Sequence, residues 1–227
     1  MLTITDYIYC GYVTNENPDI YRICFSENGF PLFTKEMLLD KTPSDIVPYK
    51  NMNSLKEKNT VVVCFFQEDE RLYSRLCSVD KDIPKFREFM GVCGLDLSPN
   101  IFWPIEQQLF NILLGQLYSA YLAINGIKIV PNWRIGDLST LKALKSYPQD
   151  SQFVVGTLGS IRKDKSLGTL YMKAKIYVSN PSRLLIYGKL ASEYSVELDE
   201  MGIQHIQYND IMTKRDSLRR RSVQYGC

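Results

Sequence analysis

At 227 residues, with 45% hydrophobic content and a formal charge of +2, the chain can bury a full core and is neither polar enough to be disordered nor strongly basic overall. Its six cysteines, at 10, 24, 64, 77, 93 and 227, form no CxxC pair, and one histidine leaves a zinc centre short of ligands. No charged segment followed by an apolar run opens the chain and no apolar run approaches about 18 residues, so the expectation is a soluble, cytoplasmic protein with reduced thiols and no membrane contact.

Residues 1–43 lack clear periodicity and read as a variable N-terminal extension. Within it, ITDYIYCGYV and DIYRICF have the composition of two edge strands separated by the turn-rich TNENP, and ENGFPLF adds another turn signal. Residues 44–59, SDIVPYKNMNSLKEKN, read as a connector. The main domain, 44–213, gains its first strand at VVVCFF, a continuous apolar run of the kind a parallel strand covered on both faces requires. Gln67–Glu70 reads as a solvated turn. Tyr73, Leu76 and Cys77 predict a helix, and Ile83, Phe86 and Phe89 predict another short one.

The stretch from Gly91 to Asp137 reads as a βαβ unit. Its helix follows from Ile105, Leu109, Ile112, Leu113, Leu117, Ala120, Tyr121 and Ile124 recurring at three- and four-residue steps. Pro104 suits the first turn and Asn125-Gly126 the stop. Ile127–Val130 is a short β-branched strand closed by Pro131. Beyond it, a helix over Leu138–Tyr147 carries Leu138, Leu141 and Leu144 at three-residue steps, with Asp137 or Ser139 as its cap. A strand at Gln152–Val155 runs into the turn Gly156–Ser160. Leu170, Ala174 and Val178 predict a helix over 167–178; a strand at Arg183–Tyr187, a helix at Ser192–Met201 with a Gly202 stop, and a last strand at Ile203–Gln207 complete the order. Repeated βα units imply an α/β fold with a mostly parallel sheet, either open and doubly wound or a partial TIM-like barrel. Six strands are evident from Thr60 onward, so a closed barrel of about eight would need the N-terminal segments.

GLDLSPNIFW, QQLFNILLGQLYSAYLAINGIKIVPNWRIGD, FVVGTLGSI and LLIYGK, in that order, resemble the DUF4417 family over about residues 44–208. The resemblance implies a phage- or mobile-element-type protein of a bacterial host and brings no established activity. Two departures stand out. The family usually carries a histidine after Gly-Thr and a cysteine after the next Gly, where this chain has Leu158 and Ser160. It usually carries Tyr-Arg in the central helix, where this chain has Leu113-Leu114. These absences favour a binding protein over an enzyme.

Ligands of parallel α/β sheets bind at the carboxyl ends of the strands. Asp96, Asn132, Arg134, Asp137, the turn Gly156, Thr157, Gly159 and Ser160, and Lys189 all fall at such ends. Arg134, the turn amides and Lys189 suit a phosphate-bearing ligand, while Asp96 and Asp137 could act as acid and base or hold Mg²⁺; no other cofactor is implied. Each has a structural alternative. Either Asp can cap the following helix, Arg134 can pair with one of them, Trp133 can be core or rim packing, and His205 can be structural. GTLGS lacks the Gly-Lys-Ser/Thr ending of a P-loop. The tail, 214–227, carries Lys214, Arg215, Arg219, Arg220 and Arg221 against Asp216 alone, with Tyr225 nearby, a pattern able to track nucleic-acid phosphates and equally that of a solubilising tail. Two functional expectations follow: a non-enzymatic binding protein for nucleic acid or a host or replication component, and a phosphate-ligand enzyme acting on a nucleotide or nucleic-acid end.

Overall fold

The computed structural model describes residues 23–157, 165–211 and 213–214. A short antiparallel hairpin, β1 (Cys24–Phe25) and β2 (Pro31–Leu32), turns through the Glu27-Asn28-Gly29 signal. The hairpin therefore lies one turn later than the expected pairing of ITDYIYCGYV with DIYRICF, and the first of those segments lies outside the described residues.

Seven strands then run parallel. One sheet holds β3 (Asp45–Pro48), β4 (Val61–Cys64), β5 (Gly91–Cys93) and β6 (Ile129–Val130), and a second holds β7 (Gln152–Gly156), β8 (Arg183–Tyr187) and β9 (His205–Tyr208), each in sequence order. They are joined where the backbone past β6 runs beside β7: the Val154 N–H donates to the Pro131 carbonyl at 2.9 Å and the Trp133 N–H to the Val154 carbonyl at 2.8 Å. Among the described residues, five helices pack with them: α1 (Asp69–Leu76), α2 (Val79–Phe86), α3 (Ile105–Ile124), α4 (Lys165–Ser179) and α5 (Ser192–Glu200). Strand β3 is a correction, since SDIVP read as connector. Its two consecutive apolar residues are too few to show a period, yet Ile46 and Val47 are both buried, one on each face.

The strands curl. Seven strands spaced about 4.8 Å apart would hold the two edges roughly 29 Å apart in a flat sheet. Instead the Tyr208 hydroxyl at the end of β9 donates to the Pro43 carbonyl just before β3, at 2.8 Å. Lys214 Nζ reaches both Asp45 carboxylate oxygens at 2.7 and 2.6 Å. Alternate residues of these seven strands (Ile46, Val62, Cys64, Cys93, Val130, Val154, Leu185, Tyr187 and Tyr208) form one buried inner cluster. Their neighbours Val47, Val63, Val92, Ile129, Phe153, Leu184 and Ile186 face the helices. This is the partial barrel of the two expected arrangements. The two-faced burial explains why VVVCFF is apolar at every position. Burial also raises the inner thiols, Cys64 to about 12 and Cys93 well above its ordinary value, which keeps both protonated.

Helix α3 ends as expected, with Gly126 at φ +80°, a conformation that costs other residues more. Its buried surface differs from the expected stripe. Of the eight apolar residues at helical spacing, Ile112, Leu117 and Ala120 are buried and the rest only partly so, while Gln108, Asn111, Gln116 and Ser119 are buried. The helix is enclosed on several sides, so polar residues can turn inward wherever a backbone group meets them. Gln116 donates to the Ala143 carbonyl at 2.9 Å and accepts from the Ser146 hydroxyl at 2.9 Å. The segment Leu138–Ser146 is 3-10 rather than α-helical. The exact three-residue spacing of its leucines is that helix's own period. Helix α4 also departs in phase: Leu170 is exposed, and Met172 is its buried apolar residue among those described. No helix among the described residues is long and apolar enough to cross a membrane.

Gly115 sets the approach of α3 to the end of β5. A Cβ there would stand 2.7 Å from the Leu95 carbonyl oxygen, a backbone atom that cannot swing away. Gly115→Ala should therefore lower stability by about 1–3 kcal/mol, read as a shift of the urea midpoint at unchanged slope.

Candidate functional site

The carboxyl ends of β5, β6 and β7 open into a cavity of about 480 Å³, roofed by α4 and bordered by α5. Apolar groups form most of its wall, with Val154, Leu184, Ile186, Met172 and Leu198 among them, and the rings of Phe66, Trp133, Tyr171 and Tyr194 also reach it. Its polar end comprises Asp96, Ser98, Asn132, Arg134 and Lys175. The combination of an apolar chamber with a few convergent polar groups is the usual form of a small-molecule site.

The polar end is built by loops that follow the strands. After β5 the chain runs through Asp96 and Ser98, and after β6 through Asn132 and Arg134. Arg134 Nη1 donates to Asp96 Oδ2 at 3.0 Å and Nη2 to the Ser98 hydroxyl at 3.3 Å. Ser98 is in turn fixed by Asp69 at the start of α1, donating its N–H to both carboxylate oxygens at 3.2 Å and its hydroxyl to one of them at 3.1 Å. Asn132 donates its amide to the Gly94 carbonyl at 2.8 Å, while its Oδ1 is buried with no hydrogen-bond partner. Lys175 Nζ donates to the Trp133 carbonyl at 2.9 Å and lies 3.8 Å from the centre of the Trp133 ring.

Asp96 has a side chain only 10% exposed. Burial raises its pKa above the ordinary carboxylate value; the guanidinium of Arg134 opposes this, Asp69 adds to it, and Lys175 opposes it weakly. A buried ion pair of this kind contributes little net stability, because desolvation offsets much of the attraction. A packing role alone would be served as well by apolar groups.

The expected site residues divide. Asp96, Asn132, Arg134, Gly156 and Thr157 line the cavity together. Asp137 does not. It is exposed and caps the following 3-10 helix, its carboxylate accepting from the Ser139 N–H at 3.0 Å, and Ser139 holds it below the ordinary carboxylate range. Its other oxygen is 3.5 Å from the Tyr171 hydroxyl, which places Asp137 at the rim. Lys189 is exposed and absent from the lining, where its neighbour Leu190 stands. Gly156 leaves room for the Phe66 ring, which a Cβ would overlap at 2.6 Å; Phe66 stacks on Tyr187 with ring centres 5.4 Å apart. Gly159 and Ser160 lie outside the described residues, as do Arg215, Arg219, Arg220 and Arg221. Lys214 is engaged with Asp45. Among the described residues, no group of three or more His, Cys, Asp or Glu side chains is placed to hold a metal ion.

The remaining alternatives also resolve. Trp133 is buried, donating its indole N–H to Ser179 at 2.9 Å, and borders the cavity as well. His205 bonds the Ser195 hydroxyl at 3.0 Å and ties β9 to α5 away from the cavity. Lys175, Tyr171 and Tyr194 escaped the sequence reading because nothing local distinguishes a helical residue facing a cavity from one facing solvent. Asp69, in the Gln67–Glu70 stretch whose composition is that of a solvated turn, instead opens α1 and anchors Ser98.

The chain matches the model of the domain of unknown function DUF4417 over residues 30–209 and belongs to that family. No curated protein and no solved structure matches the chain significantly.

Asp96 should leave a mark on stability. Between its ordinary pKa of 3.8 and its raised value in the fold, the folded chain holds a proton that the unfolded chain has released. The stability of the wild type relative to Asp96→Asn should therefore fall as pH rises through that window and level off above it. Urea unfolding of both proteins from pH 4 to 7 measures this. A constant difference would mean that Asp96 titrates as an ordinary carboxylate.

Proposed function

We propose that the chain binds a small phosphate-bearing ligand of nucleotide class at the carboxyl mouth of its barrel. The observation that supports this most is the division of one cavity into an aromatic and aliphatic chamber and a polar end bearing Arg134 and Lys175. A ring or apolar body suits the first part, and an anionic head suits the second. Asn132 Oδ1, buried without a partner, adds an acceptor for a ligand hydroxyl or amine. The polar end lies where parallel α/β sheets gather their βα turns, so the ligand would meet groups held by the rigid strands β5, β6 and β7.

This reading takes the phosphate-ligand expectation and leaves its acid and base unequal. Asp96 belongs to the cavity, and Asp137 serves the rim as a cap. The other expectation, binding of nucleic acid or a host component through the basic tail, has the tail's composition as its motivation; Lys214, bound to Asp45, is less suited to such a role.

Adenosine 5′-monophosphate should raise the melting temperature of the full chain in a thermal-shift titration, and adenosine should do so far less. Lys175→Met should weaken the nucleotide about tenfold or more, the usual effect of losing a hydrogen bond to a charged group. If no nucleoside mono- or diphosphate stabilises the chain while labelled single-stranded DNA binds the whole protein and not a 1–213 truncation, the tail reading replaces this one.

A further inference from the structure

Among the described residues the cavity has a single arginine, Arg134, and in the ligand-free chain that arginine is already committed. One of its terminal nitrogens is on Asp96 and the other is on Ser98, whose hydroxyl is held by Asp69. An anion that docks on Arg134 thus enters a cluster holding two carboxylates, one in direct contact and one a hydroxyl away. Resting on the reading that this cavity takes an anion, we propose that its occupation is coupled to proton uptake by Asp96. The loaded site would then hold a protonated carboxyl beside the ligand.

The physical reasons are these. A further negative charge near a buried carboxylate disfavours its ionised form, and an anion sharing Arg134 also weakens the larger of the two interactions that favour that form. The charge can be relieved at either carboxylate, and the geometry selects Asp96. Asp69 accepts its three hydrogen bonds from Ser98; Asp96 has the hydrogen bond from Arg134, the group the ligand would share. Among the described residues, the charged groups acting on Asp96 are Arg134 from the segment after β6, Asp69 from α1 and Lys175 from α4. Lys175 favours the ionised form less than Arg134 does, and it also bonds the Trp133 carbonyl. The proton comes from bulk solvent, and no bond other than that O–H is formed. A carboxyl protonated only when the site is full can hydrogen-bond the ligand as a donor, which an ionised Asp96 cannot do.

The test uses benzenesulfonate, which carries a ring and a three-oxygen anionic head whose charge does not change near neutral pH, so any pH dependence belongs to the protein. Its dissociation constant for the full chain is measured by calorimetry from pH 5.5 to 7.5 in chloride buffers. The expected result is binding that weakens with rising pH, by up to about tenfold per unit for one proton, and a flat profile in Asp96→Asn. His205, the chain's one histidine, bonds Ser195 and is not among the cavity's lining residues, and a slope surviving in Asp96→Asn would assign the effect elsewhere and overturn the proposal. Should that variant not fold, carbon NMR of the Asp96 carboxyl in the wild type decides: its signal should move to the protonated position on adding the sulfonate at constant pH. An unmoved signal in the loaded protein overturns the coupling. Wild-type binding with no pH dependence also overturns the coupling and leaves the anion site standing. No binding at any pH overturns both.

Discussion

A parallel sheet must be covered on both faces, and the structure of this chain follows from that requirement. Five helices cover the outer face. The inner face is covered by the sheet itself, which curls until β9 and the segment before β3 share the Tyr208–Pro43 hydrogen bond and the Lys214–Asp45 ion pair. The inner cluster is therefore small and apolar, and it includes two thiols kept protonated by burial. Curling also brings the carboxyl ends of the strands round a common mouth, where the loops after β5 and β6 can meet.

What meets there is not explained by packing. Asp96 and Arg134 spend desolvation free energy to form one partly buried pair, and Asp69 and Ser98 hold the guanidinium in place through four hydrogen bonds. Lys175 is drawn in by the Trp133 carbonyl and ring. Burying charges at the edge of an apolar chamber costs stability unless something is bound, and strongly perturbed ionisable groups in clefts often mark functional sites. That cost is the physical basis for reading the mouth as a binding site in a family whose activity is undefined.

Much of the architecture was legible in the sequence. The runs at β4, β7 and β8 are apolar at nearly every position because each strand is buried on both faces, and the glycine after α3 marks its end. Strand β3 was not legible, since two apolar residues beside a proline carry no period. The phases of α3 and α4 misled for opposite reasons: α3 is enclosed, so polar residues with local backbone partners turn inward, and α4 roofs a cavity, so its inner face includes Tyr171 and Lys175. The site was half legible. Asp96, Asn132, Arg134, Gly156 and Thr157 stand at strand ends, where position alone suggests them. Asp137 stands at a strand end too and is a cap, because a carboxylate two residues before a free backbone N–H serves either role. Asp69 and Lys175 join the site only through tertiary contact, across 29 residues to Ser98 and 42 to Trp133.

The most direct test of the mouth as an anion site is a crystal structure of the full chain grown with adenosine 5′-monophosphate. The account predicts the nucleotide in the cavity bordered by Phe66, Trp133 and Tyr171, with phosphate oxygens at about 2.7–3.2 Å from Arg134 or Lys175. A cavity without the nucleotide, with Arg134 still paired to Asp96 while the phosphate occupies another surface of the protein, would contradict it.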